Sequence, residues 1–243
     1  MTDDNNKLAK PISFGPKKFG LAAEREKAAK VLASVDPLTV KNRLAIEFDD
    51  SGSMQGEPLQ NAKLAVRNFT ASCDARETSI AVYPMNQEKK ELTNDYNLIN
   101  LYVTSLQAST GGTPLFTKMI ELLDAPISRG ILFSDGEPTD EWGIRANYYS
   151  PDRQLTEGSM SQKEKAITKA NEKEIPIDTI FIGWEDSRGF NIMKEIAERT
   201  GGIFIHFKDT LSLASNLKYL TPGLRGLLAN AEIKEKIQRG EKI

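Results

Sequence analysis

The sequence predicts an α/β fold in which a doubly wound, mostly parallel central sheet is flanked by helices and carries one antiparallel edge strand. Three observations lead to this prediction. Short apolar runs alternate with amphipathic segments of about ten or more residues, which is typical of the crossover units of parallel sheets. Polar clusters follow several of the apolar runs directly, as loops follow buried strands. The chain has 243 residues, of which 39% are hydrophobic, and this is enough for one substantial core.

The individual elements follow from the periodicity of apolar residues. Apolar runs predict strands at 43–48, 79–83, 91–93, 131–133, 177–182 and 203–207. A polar hairpin at 86–90 joins the second run to the third, so the third strand is the predicted antiparallel edge. Apolar residues at three- and four-residue spacing predict helices at 59–73, 95–106, 115–123, 161–174, 190–199 and 209–219. Pro114 suits the first position of the third helix in this series.

The chain divides into three predicted regions. Residues 1–40 contain a polar arm and an amphipathic helix at 21–35, which Pro37 ends. Residues 41–222 form the α/β domain, and residues 223–243 form a helical tail in which acidic and basic residues alternate.

Composition excludes several classes of protein. The 32 basic and 34 acidic residues give a net charge of −2, so no global basic field favours nucleic acid as a partner. The single cysteine, Cys73, and the single histidine, His206, exclude an internal disulfide and a His/Cys metal cage, and we expect both side chains to be structural. No apolar run predicts a signal peptide or a membrane anchor, so we expect a cytoplasmic protein without a membrane partner.

Oxygen-bearing side chains follow two of the predicted strands. Asp49, Ser51 and Ser53 surround Gly52 in a tight loop after the first strand, and Asp135 follows the fourth. In an open parallel sheet, ligands bind beyond the carboxyl ends of the strands, and both clusters lie there. Oxygen donors select hard cations, so the candidates are Mg²⁺, Mn²⁺ and Ca²⁺.

These motifs resemble those of the von Willebrand factor A (VWA) domain with its metal-ion-dependent adhesion site. The first motif reads D-x-S-G-S-M from Asp49 to Met54, a Gly-Gly-Thr-Pro turn contains Thr113, and an S-D-G sequence contains Asp135. Each motif is weak by itself, but the three occur in the order of the family and the resemblance covers roughly residues 43–219.

The resemblance implies a Rossmann-like VWA fold and a role for each site residue. The hydroxyls of Ser51, Ser53 and Thr113 would hold the cation, and the carboxylates of Asp49 and Asp135 would bind it directly or through water. The cation would keep one coordination position for an acidic side chain of another protein. The implied function is a non-catalytic adaptor or assembly factor of the intracellular prokaryotic or phage type. A MoxR-type AAA+ ATPase is one candidate partner, and a neighbouring protein without an ATPase is another.

An enzyme is the alternative interpretation, namely a Mg²⁺-dependent phosphohydrolase that uses Asp49. A haloacid-dehalogenase-type enzyme needs a second acid two residues later as its general acid, where this chain has Ser51. The sequence also lacks a P-loop and a G-x-S-x-G nucleophile elbow. The binding module is therefore the favoured interpretation.

Two acidic residues near the first motif depart from the expected pattern. Because side chains alternate along an extended segment, Asp50 is expected to point outward; an inward Asp50 would favour Ca²⁺ or tighter binding. Glu47 lies in a strand that should be buried on both faces. Either it pairs with Arg43 or Lys41, or this face of the strand is partly wet.

Residues 137–158 are long for a connection between a strand and a helix, which usually takes about two to six residues. They include Trp142, Tyr148 and Tyr149, and aromatic residues of this kind are enriched in protein interfaces. This segment is predicted either to form part of a partner-binding rim or to pack on the sheet edge.

Overall fold

The computed structural model describes residues 35–140 and 155–207. In these ranges the chain forms a six-stranded sheet with the strand order β3-β2-β1-β4-β5-β6. The strands are β1 (Asn42–Phe48), β2 (Thr78–Pro84), β3 (Lys90–Thr93), β4 (Arg129–Ser134), β5 (Ile177–Ile182) and β6 (Phe204–Phe207). Only β3 is antiparallel to its neighbour among the described strands, and it lies at the edge. The predicted fold class, including its antiparallel edge strand, is confirmed.

The helices of the described residues connect these strands. They are α1 (Glu57–Ser72), α2 (Tyr96–Ser105), α3 (Leu115–Leu122), α4 (Glu157–Glu172) and α5 (Arg188–Thr200). Helix α4 begins four residues before the predicted start at 161, because the Thr156 hydroxyl caps it by accepting from the Ser159 N–H at 3.1 Å. None of the helices in the described ranges combines the length and the apolar character needed to cross a membrane.

Several predictions fall outside the described residues. These are the arm and helix within 1–40, the helix at 209–219, the tail at 223–243, and the aromatic residues of the 137–158 segment. The domain boundaries therefore stay predictions.

The core lies on both faces of the sheet. Leu44, Ile46 and Phe48 of β1 pack with buried residues of α1 and α2, whereas Ala45 packs with those of α3, α4 and α5. Each fully buried Leu, Ile or Phe side chain contributes about 1.5–3 kcal/mol to folding. Packing on both faces therefore fixes β1 firmly and sets the position of the residues that follow it.

Candidate metal centre

Asp49 lies at the carboxyl end of β1 and is fully buried. Its N–H donates to the Phe133 carbonyl of β4 at 2.9 Å. One carboxylate oxygen, Oδ1, accepts from the Ser51 N–H at 2.9 Å, and the other, Oδ2, accepts from the Ser134 hydroxyl at 2.5 Å. Burial, and after it the nearby Asp135 carboxylate, raises the pKa of Asp49 from 3.8 to about 6, although the hydrogen bonds oppose this rise. A cation at this position would relieve the cost of the buried charge.

Ser51 and Ser53 bring two hydroxyl oxygens together, at a distance of 3.0 Å. Ser51 is buried and Ser53 is exposed. A short 3₁₀ turn at Gly52–Met54 connects them, and the buried Met54 side chain anchors that turn in the core. The two hydroxyls therefore lead from the buried floor of the site to its surface.

Thr113 is buried in the loop that precedes α3. Its carbonyl accepts the N–H groups of Leu115 at 2.7 Å and of Thr139 at 2.8 Å. A side chain at Gly112 would begin 2.4 Å from the Thr139 hydroxyl oxygen, so only glycine permits this approach. The Thr113 loop is thus fixed against the segment that follows β4.

Asp50 points inward, so the expectation that it faces solvent is wrong. It is fully buried, and its carboxylate accepts from the Asn86 N–H at 2.9 Å, the Asn86 side-chain amide at 3.0 Å and the Gln87 side-chain amide at 2.6 Å. Its carbonyl also accepts the Ser109 N–H at 2.6 Å. Both carboxylate oxygens of Asp50 therefore accept hydrogen bonds within the protein. Asp50 connects the first motif to the loop at Asn86 and Gln87 and to the loop at Ser109.

Asp135 lies directly after β4 and is half-buried. Gly136 follows with a φ of 72°, and the start of α5 packs closely against this turn. A Cβ atom at Gly189 would lie 1.9 Å from the Asp135 carbonyl oxygen. Two glycines therefore allow α5 to support the backbone of Asp135.

The structure brings the predicted site residues to one edge of the sheet. Hydrogen bonds link Asp49, Ser51 and Ser53, and Asp135 is close enough to raise the pKa of Asp49. The loop that contains Thr113 is linked to the first motif by Asn86. The Asn86 side-chain amide donates one hydrogen bond to the Asp50 carboxylate and another to the Gly112 carbonyl, at 2.9 Å.

Sequence reasoning placed Ser134 beside Asp135 at the end of the fourth strand, but it assigned no role to the residues that support this arrangement. They are Ser134, which orients Asp49; Asn86 and Gln87, which hold Asp50; and Asp140, whose carboxylate accepts the N–H groups of Phe116 and Thr117 at the start of α3. Asn86 and Gln87 follow β2 at the carboxyl edge of the sheet, so the strand-end rule that selected Asp135 would have found them as well.

Glu47 has neither of the environments that the sequence predicted. Its side chain is fully buried, and neither carboxylate oxygen has a hydrogen-bond partner. Arg43 instead donates from Nε to the Pro126 carbonyl at 2.5 Å. Burial raises the pKa of Glu47 well above 4.5, and the charges of Asp140 and Asp49 raise it further.

The two residues expected to be structural have that role. Cys73 packs against the core, and burial raises the pKa of its thiol to about 12. His206 contacts the rings of Phe181 and Phe190, and its Nε2 lies 2.8 Å from the Gly183 carbonyl oxygen.

The donor set fits a hard cation. All five candidate ligands offer oxygen, and two of them are carboxylates. No group of three or more His, Cys, Asp or Glu side chains that could hold a metal occurs in ranges 35–140 and 155–207. A site in this part of the protein therefore depends on hydroxyl ligands as well as on carboxylates.

Comparisons with known proteins agree with this fold. No protein-family model matches the chain. A von Willebrand factor A domain-containing protein of Dictyostelium discoideum is 27% identical over 100 residues, which are 38% of this chain and 11% of that protein. The chain thus matches about a ninth of the length of this curated relative.

Solved structures show the same architecture. A von Willebrand factor type A protein from Catenulispora acidiphila aligns with a TM-score of 0.56 and 21% identity, over 78% of this chain and 42% of that one. An aerotolerance-related membrane protein of Bacteroides fragilis, crystallised with multiple mutations to serine, aligns with a TM-score of 0.53 and 14% identity, over 72% of this chain and 96% of that one. These likenesses show that the chain has a VWA-type fold, as the resemblance of its motifs implied.

Proposed function

We propose that this chain is a protein-binding module that recognises an acidic side chain through a divalent cation. The ligands would be Asp49, Ser51, Ser53, Thr113 and Asp135. The observation that carries the proposal is the donor set itself, in which the buried carboxylate of Asp49 lies beside the buried hydroxyl of Ser51 and the exposed hydroxyl of Ser53. Three of these five ligands are neutral hydroxyls, so the cation keeps more of its attraction for a carboxylate from another molecule than it would in a site of carboxylates alone. The VWA fold supports the same function.

Mg²⁺ is the first cation to test. In an octahedron with Mg–O distances of about 2.0–2.1 Å, adjacent oxygens lie about 2.9 Å apart. The Ser51 and Ser53 hydroxyl oxygens are 3.0 Å apart, so both can bind one Mg²⁺ ion. The same spacing fits adjacent equatorial oxygens of a pentagonal-bipyramidal Ca²⁺, which lie about 2.8 Å apart. Mn²⁺ and Ca²⁺ are therefore the other cations to test.

The same proposal gives the chain the role of an adaptor or assembly factor in the cytoplasm. A protein that presents an acidic side chain, such as a MoxR-type AAA+ ATPase, is the proposed kind of partner. Cell fractionation and capture of partners from a lysate of the source organism, with Mg²⁺ and with EDTA, test these two assignments.

The burial of Asp49 speaks against the phosphohydrolase alternative. A nucleophilic carboxylate needs an oxygen that can approach phosphorus in line, whereas Asp49 is fully buried and both its oxygens accept hydrogen bonds. Incubation with a generic phosphomonoester and Mg²⁺ should give no turnover. Turnover that Asp49→Asn abolishes would overturn the proposal.

Cation binding can be measured by thermal unfolding. With Mg²⁺ at about 100 times its Kd, binding stabilises the folded state by about 2.7 kcal/mol, which raises Tm by about 5–10 °C in a domain of this size. The double variant Ser51→Ala/Ser53→Ala should lose this rise and keep the Tm of the wild-type protein in EDTA. Ser105→Ala/Ser161→Ala removes two exposed hydroxyls on α2 and α4 and is the matched control. A full Mg²⁺ response in the site variant would contradict the ligand assignment.

A further inference from the structure

A cavity of about 650 Å³ opens at the carboxyl end of β5, on the edge of the sheet that carries the candidate metal centre. It lies between the first turn of α1 and the segment that follows β5, and Pro58, Ile182 and Trp184 contribute its apolar surface. Trp184 is 83% exposed. A solvent-exposed tryptophan next to a cavity is typical of a surface that binds a partner.

The charged residues of this cavity are mostly acidic. Glu57, Glu185 and Asp186 line it, and neither lysine nor arginine is among its described lining residues. Among the described lining residues, His206 is the one with a basic side chain, and its Nδ1 lies 3.2 Å from a Glu185 carboxylate oxygen. Three carboxylates around an apolar floor create a negative potential, so the complementary ligand is a cation with an apolar or planar body.

The cavity is connected to the candidate metal centre by direct backbone packing. The segment that contains Trp184 leads into α5, and Gly189 of α5 lies against the Asp135 carbonyl. In the sheet, Ser134 at the end of β4 is the register partner of Phe181 in β5, and Ile182 follows. With strands about 4.8 Å apart, the midpoint between β5 and β6 lies about 10 Å from the midpoint between β1 and β4.

We propose that this cavity receives an arginine side chain of the same partner whose acidic side chain completes the metal centre. The guanidinium group would stack on Trp184 and face the carboxylates of Glu57, Glu185 and Asp186. Arginine fits better than lysine, because its planar guanidinium group stacks on indole and forms bidentate hydrogen bonds with carboxylates. This inference rests on the proposed function, since it adds a second contact to that interface.

The geometry sets the spacing of the two side chains in the partner. An extended segment rises about 3.3 Å per residue, so a distance of about 10 Å corresponds to three residues. Allowing for the length of the side chains, the acidic residue and the arginine should lie about three to five residues apart. A partner that binds by a folded surface should present the two groups at the same distance.

Selection from a library of random 12-residue peptides displayed on phage tests the inference. Selection on the wild-type protein in Mg²⁺ should enrich peptides with Asp or Glu and with Arg at the stated spacing. Replacing Arg by Ala in a selected peptide should weaken binding about tenfold. Selection without enrichment of Arg, or with enrichment of apolar residues in its place, would overturn the inference.

Two variants separate this inference from the proposed function. Trp184→Ala should lose the enrichment of Arg and keep that of Asp and Glu, whereas Ser51→Ala/Ser53→Ala should do the opposite. If peptides selected on the wild-type protein show no enrichment of Asp or Glu, the metal-dependent function is contradicted. The enrichment of Arg then decides by itself whether the cavity binds arginine. Leu101→Ala, which removes a 68% exposed side chain on α2, is the matched control and should select the same peptides as wild type.

The other occupants of the cavity would be a second copy of the chain or the chain's own residues 208–243. Sedimentation of the wild-type protein and of Trp184→Ala over a range of concentrations tests the first. A dimer that Trp184→Ala dissociates would assign the cavity to self-association and overturn the inference. If the chain's own residues 208–243 fill the cavity, selection on the full-length protein should show no enrichment of Arg, which would overturn the inference.

Discussion

The substitution Glu47→Met tests the cost of the buried carboxyl beneath the candidate metal centre. Glu47 is fully buried, and neither of its carboxylate oxygens has a hydrogen-bond partner. Lys118 lowers its pKa only in part, because the Lys118 ammonium lies 2.8 Å from a Glu121 carboxylate oxygen. Methionine is unbranched and has a similar length, so it removes the carboxyl group with little change in shape.

The expected gain depends on pH. Glu47 titrates near 4.5 in the unfolded chain and at a clearly higher pH in the folded protein, because burial raises its pKa. Between these two values the folded state holds a proton that the unfolded state has released, so stability falls as pH rises, and above the folded pKa the loss is complete. A buried polar group without a hydrogen bond costs about 1–3 kcal/mol. Glu47→Met should therefore stabilise the protein at pH 8 by about 2 kcal/mol, or about 4–8 °C in Tm.

Urea denaturation in EDTA at pH 5 and pH 8 measures this effect without interference from a bound cation. The gain in the free energy of unfolding should be larger at pH 8 than at pH 5. Glu172→Met, which removes an exposed glutamate at the end of α4, should change stability by less than about 0.5 kcal/mol. The reasoning is refuted if Glu47→Met is less stable than wild type at pH 8, or if its gain is the same at both pH values.

Three further predictions concern the site and its support. Gly189→Ala places a Cβ atom 1.9 Å from the Asp135 carbonyl oxygen, so that turn must move by about 1 Å; calorimetry should show weaker Mg²⁺ binding, and unchanged binding would contradict the close packing. Asp49→Asn should stabilise the protein in EDTA at pH 7 on the order of 2–3 kcal/mol, because burial raises the pKa of Asp49 from 3.8 to about 6 and the folded protein at pH 7 therefore holds a buried charge that asparagine removes. The same variant should lose the Mg²⁺-dependent rise in Tm, and a retained rise would exclude Asp49 as a ligand. Asp178→Ala should cost about 3–5 kcal/mol in urea denaturation, since it removes the partner of Arg129 and of the Ile203 N–H from a fully buried position; a loss below about 1 kcal/mol, the expected effect of an exposed pair, would contradict this.

Local patterns in the sequence were sufficient for the strands and most of the helices. The apolar run at 177–182 predicted β5 with the bounds that the structure has, and the hairpin at 86–90 predicted the antiparallel edge. These signals are reliable because burial on both faces of a parallel sheet favours strands made mostly of apolar residues, even though β5 includes the buried Asp178 and Thr179. The start of α4 was predicted four residues too late, since the polar cap of Thr156 has no apolar period.

The candidate ligands were also proposed from the sequence: Asp49, Ser51, Ser53 and Asp135 follow strands and carry oxygen donors, and the resemblance to the VWA family added Thr113. Their shared position at one sheet edge follows from the parallel order of β1 and β4. The roles of the supporting residues were not assigned from the sequence, because they depend on partners far away in the chain. Ser134 orients Asp49 from 85 residues away in the chain, and Gln87 holds Asp50 from 37 residues away.

The sequence by itself therefore determined the fold class, the order of the elements and the set of candidate ligands, since all of these depend on residue type and short-range period. The tertiary structure alone decided which way Asp50 and Glu47 point and which surfaces lie beside the site. Asp50 turns inward because Asn86 and Gln87 offer it hydrogen bonds there, whereas Glu47 is buried by the alternation of its strand without any such partner. The direction of a side chain depends on the groups that the completed fold brings close to it, and the spacing of residue types along the sequence does not predict those groups.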